Sequence, residues 1–138
     1  MPNTLPISIK TLLQDKAYGH VVTLNAHGQP RVTMVWMDVD GDEILFNTAE
    51  GRNKVHDLRR DPRVTVSVQD PRTPQSYAVF YGRARSITDE GARAHIDTLT
   101  QRFLGLDTYP GPPTEKRLIV RIGVDRIGGF GPGFKPWT

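Results

Sequence analysis

Cysteine is absent from this chain of 138 residues, which excludes disulfides and thiolate metal sites and makes an intracellular home the simplest expectation. No apolar run approaches the roughly 20 residues a membrane-spanning helix needs. The amino terminus, Met1-Pro-Asn-Thr-Leu-Pro-Ile-Ser8, lacks the basic start and long apolar core of a secretory leader. The expectation is a soluble cytoplasmic protein with no membrane partner. An excess of either charge is also missing, since 18 Lys and Arg face 15 Asp and Glu for a formal net charge of +3. The two signs are interspersed, so binding to nucleic acid is not demanded. The four histidines, His20, His27, His56 and His95, fall in different segments with no i, i+4 pair. Each reads as a turn, surface or core residue, no metal site is expected, and no side chain is singled out as catalytic.

What the chain does have is alternation broken by turns. Gly19–Asn25 alternates apolar and polar residues, and His27-Gly-Gln-Pro30 turns it into a partner strand, Arg31–Met37. Asp40-Gly-Asp42 leads into a third strand, Glu43–Thr48. Val64, Val66 and Val68 mark a fourth, Ser76–Ile87 a fifth and Arg117–Val124 a sixth. Helices are expected from a Ser8 N-cap to about Lys16, after Gly51, and after a Thr88 cap with Ala92, Ile96, Leu99 and Phe103 on one face. The tail Gly128–Thr138 holds too much Gly and Pro for helix or central strand. Its Phe130, Phe134 and Trp137 are expected to fold over a surface, covering the substrate side of a cleft. The whole reads as one domain, residues 1–138, of the all-β/α+β class. It is a six-stranded antiparallel split β-barrel of Greek-key type with two to three short helices. Two strands, Val32–Met37 and Tyr77–Tyr81, are apolar on both faces. Their outer faces need a cover, and the prediction is a homodimer with a ligand cleft at the interface.

The most informative stretch is Thr48–Arg63, where Arg52, Lys54, Arg59, Arg60 and Arg63 crowd around a short helix opened by Gly51 and stopped by Asp61-Pro62. Helix N-termini favour acidic residues, yet cations sit at both ends of this one. A bound anion, most simply a phosphate, explains Arg52 and Lys54 beside unpaired backbone N–H groups. The same stretch also reads as a solvated basic surface helix.

Three segments in this order resemble the flavin split-barrel family, which includes pyridoxamine 5'-phosphate oxidases and the deazaflavin (coenzyme F420)-dependent oxidoreductases. They are Gln29-Pro-Arg-Val-Thr-Met-Val-Trp36, Gly51-Arg-Asn-Lys54 through Leu58-Arg-Arg-Asp-Pro-Arg63, and Tyr77-Ala-Val-Phe-Tyr-Gly-Arg-Ala84. The resemblance implies a homodimer whose cofactor is bound by Thr33, Val35, Trp36, Asn47, Thr48, Arg52, Asn53 and Lys54, with Tyr77 supplied by the partner subunit. Arg52 and Lys54 match the residues that hold the cofactor phosphate. Asp57 departs from the family's more usual Asn, so its carboxylate has to point away from the phosphate or be paired with an arginine. The Lys54–Arg63 segment is closer to the deazaflavin subgroup. The implied function is an F420H2-dependent reductase passing a hydride to an electron-poor small molecule. The alternatives are an FMN-binding oxidoreductase or a non-catalytic flavin- or haem-binding split barrel. A cofactor that carries the hydride chemistry itself is consistent with the lack of a triad or metal cluster.

Overall fold

The computed structural model describes residues 3–138; Met1 and Pro2, which open the stretch read for a secretory leader, lie outside them. The strands are β1 (Tyr18–Leu24), β2 (Pro30–Asp40), β3 (Glu43–Ala49), β4 (Arg63–Gln69), β5 (Tyr77–Thr88) and β6 (Arg117–Phe130). The helices are α1 (Ile7–Gln14), α2 (Asn53–Arg60) and α3 (Ala92–Leu104). All six strands pair antiparallel and close into a barrel in the order β1-β2-β3-β6-β5-β4. Closure removes free sheet edges. It also leaves one crossing connection, from β3 to β4, and α2 is that crossing.

Period-2 alternation builds the core. Val21, Met37, Phe46, Val66, Phe80 and Ile122 come from all six strands and are buried inside the barrel, each contributing roughly 1.5–3 kcal/mol of transfer free energy. Helix α1 closes one end with Ile9, Leu12 and Leu13. Helix α2 is anchored by buried Val55 and Leu58 and by Asp57. The Asp57 carboxylate accepts hydrogen bonds from Thr23 Oγ1 (2.8 Å), Arg31 Nε (2.8 Å) and Arg60 Nη2 (3.3 Å). Burial pushes its pKa up, but the hydrogen bonds from Arg31, Thr23 and Arg60 outweigh this and hold it below the ordinary value. The carboxylate expected to need an arginine partner therefore has two.

Three local expectations are corrected. Ser8 is not the cap of α1, because Pro6 occupies that position without a side-chain bond. Ser8 lies inside the helix, where its N–H donates to the Thr138 carbonyl (3.0 Å) and its Oγ accepts from the Thr138 N–H (3.0 Å). A partner from the far end of the chain leaves no mark in local spacing. Thr88 does not cap α3 either; it pairs with Ile119 as the last residue of β5, and Gly91 starts the helix. Finally, Gly128, Gly129 and Phe130 are strand residues of β6, opposite Val79, Ala78 and Tyr77. A Cβ on Gly129 would lie 2.2 Å from the Tyr77 carbonyl oxygen, so the close approach of β5 and β6 requires glycine there. Beyond β6 the chain makes a 3₁₀ turn at Pro132–Phe134 and returns, with Trp137 Nε1 donating to the Tyr77 carbonyl (2.9 Å).

Candidate functional site

A cleft of about 170 Å³ opens where β2, the end of β3, the start of α2 and α3 converge. One half is apolar, lined by Met34, Val35 and Trp36 of β2 and by Ile96 and Leu99 of α3; Trp36 packs against α3, while the Val35 side chain belongs to the barrel core. The Trp36 ring is fixed by stacking on Phe103 of α3, centroids 4.9 Å apart and planes 8° from parallel. The other half is polar and cationic, formed by Asn47, Thr48, Arg52, Lys54, Arg117 and the ring of Tyr109.

Local sequence explains the cationic half. Gly51 takes φ +93° and turns the chain out of β3, a conformation that L residues adopt at a cost. Arg52 follows in extended conformation as the N-cap of α2, and neither a capping side chain nor an acidic residue occupies the first turn. The positive end of the peptide dipoles is thus left to whatever enters the cleft. Lys54 is buried. Burial, and then the positive charges of Arg52 and Arg117, push its pKa below the ordinary 10.5, and no described carboxylate pairs with Lys54 itself. An anion placed there would relieve the repulsion and bring the Lys54 pKa back up towards its ordinary value.

Glu115 partly neutralises the other two cations. It accepts from Arg117 Nη1 (2.7 Å) and Arg52 Nη2 (3.0 Å). The Arg117 hydrogen bond chiefly holds its carboxyl below the usual glutamate range; burial opposes this, and Arg52 adds to the lowering. The Arg117 guanidinium also lies over the Tyr109 ring, 4.7 Å from its centroid, and its Nε donates to Asn47 Oδ1 (2.9 Å).

Of the residues expected at a cofactor site, Val35, Trp36, Asn47, Thr48, Arg52 and Lys54 come together around this cleft. Thr33 on β2 is half-buried and Asn53 exposed, and neither lines it. Tyr77 lies elsewhere in the same chain, edge-on to Phe130 at 5.2 Å and 37 % exposed. The tail aromatics gather around Tyr77, and none of them lines the cleft of their own chain. Sequence reasoning missed Arg117, Glu115 and Tyr109. Tyr109 and Glu115 sit in an irregular segment without periodicity, and Arg117 reads as the polar start of an apolar strand. Ile96 and Leu99 were legible as an apolar helical face, but the cleft beneath that face was not.

The closed barrel, with a helix crossing from β3 to β4, places the chain among the split barrels. The sequence model of the pyridoxamine 5'-phosphate oxidases matches residues 5–129, and the chain belongs to that family of oxidoreductases. A solved structure described as an F420 reductase is 26% identical, with 93% of this chain and 98% of that one aligned at a TM-score of 0.78. A conserved hypothetical protein from Mycobacterium tuberculosis is 25% identical over 94% of this chain and 86% of its own, at a TM-score of 0.72. A putative pyridoxamine 5'-phosphate oxidase from Listeria innocua shares the fold at 19% identity and a TM-score of 0.68, over 88% of this chain and 94% of its own. Among the described residues no helix is long and apolar enough to cross a membrane.

Proposed function

We propose that the cleft binds a phosphate-bearing flavin-type cofactor, that this cofactor is coenzyme F420, and that the protein is a reductase acting on electron-poor small molecules such as unsaturated ketones, lactones or quinones. The observation that carries this reading is Lys54. It is a buried cation with no described carboxylate partner, placed at an uncapped helix N-terminus and flanked by Arg52 and Arg117. The donor set suits a phosphate at that end, and the wall of Val35 and Trp36 suits a flat ring at the other. When bound, the cofactor supplies the hydride. The protein holds the phosphate through Arg52 and Lys54, sets the ring against β2, and keeps water from it with Trp36, Ile96 and Leu99. Thr33, Asn53 and a partner subunit's tyrosine equivalent to Tyr77 complete the proposed cofactor contacts.

F420 is preferred because the F420 reductase aligns over nearly the full length of both chains. The second reading, FMN, draws on the match to the pyridoxamine 5'-phosphate oxidase model. Optical titration of the purified chain with each compound separates them. Micromolar F420 affinity with little FMN binding supports the first reading and the reverse supports the second. Binding of F420 without oxidation of its reduced form by any quinone or enone acceptor would make the chain a carrier. Binding of neither would refute the cofactor site.

A further inference from the structure

Behind the cleft a chain of polar groups crosses four elements without a break. Arg102 Nη1 on α3 donates to Asp38 Oδ1 on β2 (3.0 Å), and Asp38 Oδ2 lies 2.9 Å from His95 Nε2 on α3. His95 Nδ1 is 3.1 Å from Asn47 Nδ2 on β3, which also donates to the Ala92 carbonyl (2.9 Å). Asn47 Oδ1 then accepts from Arg117 Nε on β6 (2.9 Å). The directions are mutually determined. An amide nitrogen can only donate, so His95 Nδ1 accepts, and its proton sits on Nε2, facing a carboxylate that can only accept. The Asp38 carboxyl is pushed up by burial, but His95, Arg102 and the Val39 N–H together hold it below the ordinary value. Turning the Asn47 amide over would set its oxygen against the Ala92 carbonyl and its NH2 against the Arg117 guanidinium.

The consequence falls on Arg117, whose side chain is only 6 % exposed. A free guanidinium beside Glu115 would pair side-on through Nε and one Nη, the favoured bidentate fork. With Nε held by Asn47, Glu115 reaches only Nη1. Nη2 has no hydrogen-bond partner among the described residues, and Arg117 lines the cleft. We propose that His95 is a positioning residue for the anion site: its unprotonated Nδ1 fixes the Asn47 amide, and Asn47, by holding Nε, limits Arg117 to a single bond with Glu115 through Nη1 and leaves Nη2 for the cleft. The assignment rests on the cleft being the anion site proposed above, so its test reads Arg117 directly as well as through binding.

The experiment uses the full chain and three substitutions. His95→Asn puts a carbonyl near the position of Nδ1, His95→Gln reaches towards Asp38 but gives Asn47 no acceptor, and His95→Leu removes both contacts. Nitrogen-15 NMR of the unaltered chain is expected to show His95 with the proton on Nε2, and the Arg117 Nε–H protected from exchange. That protection is lost in His95→Leu and His95→Gln and returns in His95→Asn. With F420 and FMN as probes, His95→Leu and His95→Gln raise Kd about tenfold, which is about 1.4 kcal/mol, while His95→Asn stays within about threefold. In an Arg117→Met background, His95→Leu changes Kd no further. A proton on Nδ1, an Arg117 Nε–H still protected in His95→Leu, or additive losses in the double variant would each overturn the proposal. If a variant fails to fold, the His95 tautomer in the unaltered chain still decides. If neither probe binds the unaltered chain, the cofactor reading fails while the NMR outcomes still settle the role of His95.

Discussion

Lys54 is buried against two arginines with burial lowering its pKa, an arrangement that is unfavourable until an anion arrives. Because its pKa lies below 10.5, the ammonium is lost earlier on the alkaline side than in an ordinary lysine. Anion affinity should therefore be constant near neutrality and fall as pH rises through the lowered value, and a Lys54→Met variant should lack that alkaline fall in a Kd-against-pH series. Glu115 competes for the same cations, so Glu115→Gln should tighten FMN or F420 binding by about three- to tenfold, equivalent to about 0.7–1.4 kcal/mol; an unchanged or weaker Kd would remove Glu115 from the account. Asp57 works differently, because it pins α2 to the barrel through Arg31 of β2 and Thr23 of β1, while its second arginine, Arg60, belongs to α2 itself. Removing one member of a buried pair costs about 3–5 kcal/mol. Arg31 and Arg60 retain access to water, which places Asp57→Ala near the lower end of that range in urea denaturation. At this scale the sequence was informative where residues adjoin in the chain, as with Arg52 and Lys54. It was silent where they meet only in space, as with Arg117 and Asn47, separated by 70 positions.

Among elements, α2 was the most legible. A glycine, two cations and an Asp-Pro stop gave its start, its end and its charge, and the structure runs it from Asn53 to Arg60. The cap positions of α1 and α3 were not legible, since a distant carbonyl and a strand ladder override local preference at Ser8 and Thr88. The same holds for the tail. It reads as irregular, but it extends β6, turns, and returns to bond α1 through Thr138 and β5 through Trp137. Trp137 packs against the barrel core while only half-buried. Full removal of a buried Trp costs about 3–5 kcal/mol, so Trp137→Ala should cost about 2 kcal/mol by thermal or urea unfolding and leave cofactor Kd unchanged. A large change in Kd with little change in stability would instead restore the tail to the cleft.

For the whole molecule, the sequence reading of strands apolar on both faces remains partly unanswered within one chain. Trp36 is covered by α3, but Val32 and Met34 stay 58 % and 54 % exposed beside Tyr18 on the neighbouring strand. The proposed homodimer would cover this surface and bring the partner's aromatic residue to the cleft. Light scattering should give twice the chain mass for the unaltered protein and a monomer for Val32→Asp, and a monomer at all concentrations without substitution would contradict it. Acid should also reach the whole fold. The depressed carboxyls of Asp38 and Asp57 contribute stability that is fully present above their unfolded value near 3.8, and this is lost as pH falls through their lower folded values. The six-stranded antiparallel barrel and the basic turn were readable in advance, whereas the order of the strands around it and the apolar half of the cleft required the structure. The most direct test of the central claim, that the turn into α2 grips the anionic group of a redox cofactor, is the F420 dissociation constant of an Arg52→Ala/Lys54→Ala double variant that unfolds like the unaltered chain. The expected result is a rise of about a hundredfold, tenfold per charge at about 1.4 kcal/mol each; an unchanged constant would contradict the claim.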